Sequence, residues 1–149
     1  MQIELTITQL IGIGLTLLVG LILLGFLVTK IFRKFHSPDM IGYSRKQIQE
    51  RWTEIEALVD QKSAMSYKLA IIEADKLLDH TLKALGFPGE NMGQRLKAAC
   101  YRHEKVRRAW FGHKLRNQLV HEASFQITYW QAKDAIRSFE AAFKALNVL

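Results

Sequence analysis

The chain has 149 residues, 49% of them hydrophobic, with 21 Lys and Arg against 14 Asp and Glu. That length allows one small domain plus an appendage, not two full domains. The single cysteine, Cys100, excludes an intramolecular disulfide and a multi-cysteine metal site; beside Ala98 and Ala99 it reads as a small core residue. The net charge of +7 is unevenly placed: every Lys and Arg lies at or after Lys30, and Glu4 is the only charge before it, leaving 21 basic and 13 acidic side chains and a surplus of eight. Such a surplus suits an anionic partner, either nucleic acid or the inner leaflet of a membrane.

The first element is the uncharged run of 19 residues from Leu10 to Val28, LIGIGLTLLVGLILLGFLV. At about 1.5 Å per residue it spans roughly 28 Å, close to the ~30 Å hydrocarbon thickness of a bilayer, and is expected to be a transmembrane helix. Thr16 can bond back to its own helix, and the glycines are tolerable because lipid penalises unpaired backbone. A cleaved signal peptide fits poorly, since the start lacks a basic region and the run is too long. Lys30, Arg33 and Lys34 follow the span directly. By the positive-inside tendency they predict a single-pass membrane protein with its C-terminal domain in the cytoplasm. Phe26, Phe32 and Phe35 flank the exit, and Gly12, Gly20 and Gly25 do not make the four-residue spacing of the strong helix-dimer motif. The organisation expected is an anchor over 1–35, a linker over 36–43 marked by Pro38 and Gly42, and a helical domain over 44–149.

Within that domain, Ser44 and Gln47 resemble a capping box that opens a helix to about Asp60, with Ile48, Trp52, Ile55, Leu58 and Val59 facing the core. The next helix is predicted from Ser63 to Leu85. Tyr67, Ala70, Ile71, Ala74, Leu77, Leu78, Leu82 and Leu85 form its apolar stripe, and Lys68, Glu73, Lys76 and Asp79 point away. Gly86-Phe87-Pro88-Gly89 ends it. A short helix is predicted over Asn91–Ala99, capped by Asn91 and Gln94, then one over Glu104–His121. A last helix, capped by Thr128 and Gln131, runs to about Asn147 with Ala132, Ile136, Phe139, Phe143 and Leu146 as its seam. No segment shows sustained strand alternation, so the expected fold is all-α: an antiparallel bundle of four or five helices after the anchor.

The chemistry concentrates late. From Arg95 to Arg116 there are eight cations (Arg95, Lys97, Arg102, Lys105, Arg107, Arg108, Lys114, Arg116) against Glu104 alone, with Tyr101, Trp110 and Phe111 interleaved. Cations contact phosphates and aromatic faces stack on unpaired bases, so Arg102, Lys105, Arg107, Arg108, His113 and Lys114 are candidate RNA contacts. Trp110 and Phe111 read first as core. Asn117 and His121 are four apart on one helix face, His113 is a turn earlier, and Arg116 must lean round to share a site with them. An imidazole can move protons both ways near neutrality, and a guanidinium can stabilise the extra negative charge of a phosphorane-like transition state. Neither histidine pairs nor a glycine-rich loop occur at metal- or phosphate-binding spacing, so no metal and no cofactor are expected.

The pattern Arg116-Asn117-x-x-x-His121, preceded by Leu115 and followed by a loop and a long final helix, resembles the Arg-x4-His signature of the HEPN superfamily. The helix around Ala74-Asp75-Lys76-Leu77-Leu78 and the Gly86–Gly89 break are similar to that family's layout. The resemblance covers about residues 44 to 149 and none of the anchor. It implies a bundle that forms a homodimer in which two motifs face each other across a composite cleft. It also implies a metal-independent endoribonuclease, a hydrolase-type nuclease in which the ribose 2′-OH attacks the adjacent phosphate and leaves a cyclic phosphate. In that reading His121 is the general acid/base, Arg116 the phosphate and transition-state contact, and Asn117 their polar support. Other members bind nucleotides or only mediate assembly, so a non-catalytic nucleotide-binding or protein-interaction module is the alternative, and a basic face holding anionic lipid is a third reading.

Overall fold

The computed structural model describes residues 7–35 and 44–149, with the side chains of 12, 14–28 and 44–149. They fall into two separate units, a lone helix and a bundle. All the regular structure among the described residues is helical. The linker expected over 36–43 lies outside the described residues, as do the side chains of Lys30, Arg33 and Lys34.

The lone helix, α1, is Ile7–Phe35. From Leu15 to Val28 its large apolar side chains are exposed on every side, Leu21 at 66% and Phe26 at 70%. A helix apolar all round has no polar face to turn to water. Among the described residues no helix is long and apolar enough to cross a membrane.

The bundle comprises α2 (Arg45–Asp60), α3 (Ala64–Ala84), α4 (Met92–Arg102), a 3-10 helix (Glu104–Arg108), α5 (Ala109–His121) and α6 (Tyr129–Ala145). Its helix starts follow from local chemistry. Ser44 with Gln47, Ser63 with Ser66, and Thr128 with Gln131 each form a reciprocal capping box, and Asn91 caps α4 by accepting from the Gln94 amide. Such caps satisfy amide donors that have no partner within the helix. Two helix ends share one solution. After α3, Gly86 at φ 75° lets Phe87 N–H reach Leu82 O at 3.0 Å; after α6, Asn147 at φ 56° lets Val148 N–H reach Phe143 O at 3.1 Å. Both residue types tolerate the left-handed backbone this turn requires.

α3 is the hub, packing against α2, α4, α5 and α6. Its stripe of Ile71, Leu78 and Leu82 is sealed against Ile48 of α2, Leu96 of α4, and Phe139 and Phe143 of α6, all fully buried. Trp52 of α2 meets Phe143 edge-on at 5.2 Å. α5 and α6 approach closely because Gly112 has no side chain: a Cβ there would stand 2.5 Å from Phe139 Cε2 and 2.9 Å from Ser138 Oγ.

Several expectations need correcting. α4 runs on to Arg102, past the predicted Ala99, and the motif helix does not start at Glu104. His103 leaves the helical backbone (φ −133°, ψ 87°), the five residues after it wind as a 3-10 turn around buried Val106, and the α-helix proper begins at Ala109. Leu58 and Val59 pack half-buried against the core they were expected to face, as does Cys100, but Phe111 is 48% exposed and is not a core residue. Of the residues expected to point away from α3, Lys76 is exposed and Lys68 and Glu73 are half-buried. Asp79 turns inward to an arginine on α4.

Candidate functional site

The buried carboxylate Asp75 sits on α3 at the helical spacing of Ile71 and Leu78, inside the apolar stripe. An unpaired charge there would cost several kcal/mol, so α5 supplies partners. His113 Nδ1 lies 2.8 Å from Asp75 Oδ1, with both side chains about nine-tenths buried. Arg116 Nε stands 3.6 Å from Asp75 Oδ2. That distance makes an ion pair but not a hydrogen bond, and Nε is sealed from solvent without an acceptor in reach. One turn further along α5, Arg116 Nη1 donates to Asn117 Oδ1 at 3.1 Å, and Asn117 Nδ2 faces His113 Nε2 at a long 3.4 Å.

These contacts close a loop: Asp75, His113, Asn117, Arg116 and back to Asp75. The loop fixes its own proton positions. Arginine only donates, so the amide atom facing Arg116 is oxygen and the atom facing His113 is nitrogen. His113 Nε2 therefore accepts, and its ring proton sits on Nδ1, donated to Asp75. Both nitrogens of His113 are engaged.

The loop forms one wall of an open groove of about 570 Å³, which also touches Lys76, Asp79 and the start of α4, from its cap Asn91 to Gly93. Arg95 closes the opposite side. It is buried, forks onto both Asp79 oxygens at 2.7 and 3.0 Å, and donates to the Gly89 carbonyl. The hydrogen bond to Asp79 raises the Arg95 pKa above its ordinary value; the nearby carboxylate charge adds to this and burial works against it. Gly89, at φ 149°, must be glycine because a Cβ would lie 2.7 Å from the Arg95 amide nitrogen. The groove's own charges balance, with Lys76, Arg95 and Arg116 against Asp75, Asp79 and Glu90. Among the described residues no cluster of three or more His, Cys, Asp or Glu is placed to hold a metal ion.

The structure thus brings Arg116 and Asn117 together with His113. His121 is the last residue of α5, exposed, and does not line the groove. Among the described residues it makes no side-chain hydrogen bond or ion pair. Arg95, counted from sequence among cations available to phosphate, is committed to Asp79, and His113 is interior and not a surface contact. Arg102, Lys105, Arg107, Arg108 and Lys114 are exposed, Arg102 with its guanidinium 5.9 Å from the Phe87 ring centre. The residue that sequence reasoning missed is Asp75. Its signal was present: a lone carboxylate at a stripe position, which helical periodicity would mark as a buried charge in need of a partner.

Comparison with models of protein families, with curated proteins and with solved structures finds no match.

Proposed function

We propose that this chain is a membrane-anchored, HEPN-like endoribonuclease that cleaves single-stranded RNA without a metal. The observation that carries the reading is the polar loop: a guanidinium and a carboxamide, adjacent in sequence, stand on an open groove and are held there by a buried carboxylate–imidazole pair. Arg116 is the phosphate contact and Asn117 its support. His113 has both nitrogens occupied and positions Asn117, so proton transfer falls to His121, whose imidazole is exposed and uncommitted. The ribose 2′-OH yields its proton to the His121 imidazole as its oxygen bonds to phosphorus, and the P–O5′ bond breaks as the imidazolium so formed gives that proton to the leaving oxygen. The products are a 2′,3′-cyclic phosphate and a 5′-OH. Because His121 does not line the groove of its own copy, cleavage requires a homodimer whose two motifs meet across a composite cleft. The anchor is the uncharged Leu10–Val28 run, with the cations after it holding the bundle in the cytoplasm.

One observation favours a second reading, a non-catalytic nucleotide-binding or protein-interaction module: Arg116 already has a carboxylate and an amide as neighbours. The test is the full chain, purified in detergent, incubated with single-stranded RNA in EDTA. Wild type should cleave. Arg116→Ala and His121→Ala should each lose about 100-fold or more, the scale of one transition-state contact or one acid/base group, with helicity unchanged. Stable RNA with wild type, alongside nucleotide-dependent thermal stabilisation, would establish the second reading instead.

A further inference from the structure

The groove is charge-balanced, so it offers little long-range attraction to a polyanion, and the domain's surplus of positive charge lies elsewhere. Two shallow depressions of about 440 Å³ each sit side by side where α4, the 3-10 helix, α5 and α6 meet, and Arg107 lines both. The first is lined by Lys97, Tyr101, Trp110 and Lys114, the second by Arg108, Phe111, Asp134 and Arg137. Of the five cations Lys97, Arg107, Arg108, Lys114 and Arg137, only Arg137 has an ion-pair partner among the described residues. That partner is Asp134 at 3.8 Å, with both side chains about 60% exposed. Such a pair holds its charge weakly. Glu104 is the remaining carboxylate on the 3-10 helix.

Charge alone would suit any polyanion. The aromatics narrow the choice. Tyr101 is 82% exposed and Phe111 48%, one in each depression and each flanked by cations, while half-buried Trp110 contributes to the wall of the first. Burying such rings in a core is favourable, so leaving two of them in water beside uncompensated cations suits a partner that brings both phosphates and flat apolar faces. Unpaired nucleotides have both; duplex hides its base faces, and lipid headgroups and acidic peptides lack them.

We infer that this face is a track for single-stranded nucleic acid, with bases stacking on Tyr101 and Phe111 and phosphates contacting Lys97, Arg107, Arg108 and Lys114. The inference rests on the RNA-directed reading above and deepens it by naming where the strand is held away from the groove.

The test uses the full chain in neutral-lipid nanodiscs and fluorescent oligo-dT, which has no 2′-OH and so reports binding without cleavage, with oligouridine, a matched duplex and heparin alongside. Oligo-dT and oligouridine should bind, more tightly than duplex. Tyr101→Ala and Phe111→Ala should each weaken them about tenfold, the scale of one lost stacking contact, and leave heparin binding unchanged, while Tyr101→Phe retains wild-type affinity. Arg107→Ala should weaken all ligands and flatten the salt dependence. Equal losses for heparin and oligonucleotide in the tyrosine variant would overturn the track, as would duplex binding as tightly as single strand, or binding abolished when the nanodisc lipid is acidic. Cleavage of oligouridine by the wild-type chain separates this inference from the catalytic reading. Tyr101-dependent oligo-dT binding by a chain that leaves oligouridine whole keeps the track and removes the nuclease, whereas cleavage by a chain whose oligo-dT affinity is the same without Tyr101 defeats the track.

Discussion

Asp75 is where the chain's energetics and its chemistry meet. A carboxylate at a stripe position of α3 is tolerable because His113 and Arg116 arrive from α5 to face its two oxygens. Truncating it would leave a buried N–H and a half-buried cation without their partner. Asp75→Ala should therefore cost about 3 kcal/mol, read from denaturant unfolding of the full chain, whereas Asp75→Asn keeps an acceptor for His113 and should cost less. Equal stability of Asp75→Ala and wild type would mean the loop contributes nothing to the fold. Arg95 behaves differently with pH. Its folded-state pKa is raised, so the stability it contributes is fully present below the pKa of a free arginine and is lost only as pH rises beyond it. Across the neutral range the Asp79 pair is a constant clamp on the groove. At this scale the sequence was partly legible. Arg116 and Asn117 stood out because a cation and an amide on a basic helix are conspicuous, but the partner of a side chain 38 or more positions away is set by packing, which periodicity alone does not specify.

Elements were more legible than contacts. The capping boxes at Ser44 and Thr128 and the glycine exit at Gly86 were readable because each is settled within a few residues. The 3-10 turn before α5 was not, because it buries Val106 while packing against α6 and α4, a tertiary demand that overrides local propensity. Phe111 was misread as core because α5 turns Ala109, Gly112, His113 and Leu115 inward, which leaves Phe111 on the outer side. Gly112 carries the α5–α6 contact. Alanine would ordinarily favour a helix by up to about 1 kcal/mol, but its Cβ would collide with fully buried Phe139. Gly112→Ala should therefore lose about 2 kcal/mol net, seen as a lower thermal midpoint, and a raised midpoint would show that Phe139 can move aside.

For the whole molecule the question is how an exposed apolar helix and a basic bundle serve one purpose. If α1 is the anchor proposed above, the full chain should stay with membranes through alkaline carbonate extraction. Replacing Leu18 and Leu21 with lysine should release it, because each mid-span charge costs about 2.5–3.5 kcal/mol on insertion scales. Release of the wild-type chain by carbonate would remove the anchor. On that proposal, tethering would confine copies to a plane and raise their effective concentration, favouring the homodimer that the proposed composite cleft demands.

That demand yields the most direct measurement. Arg116→Ala and His121→Ala chains, each expected to lose about 100-fold or more of its activity toward single-stranded RNA alone, are to be co-expressed with different tags and the mixed pair purified through both. Cleavage with cyclic phosphate ends should return in the mixed pair, because its composite cleft still holds an intact arginine from one copy and an intact histidine from the other. A mixed pair as silent as either variant, beside active wild type, would contradict the composite cleft.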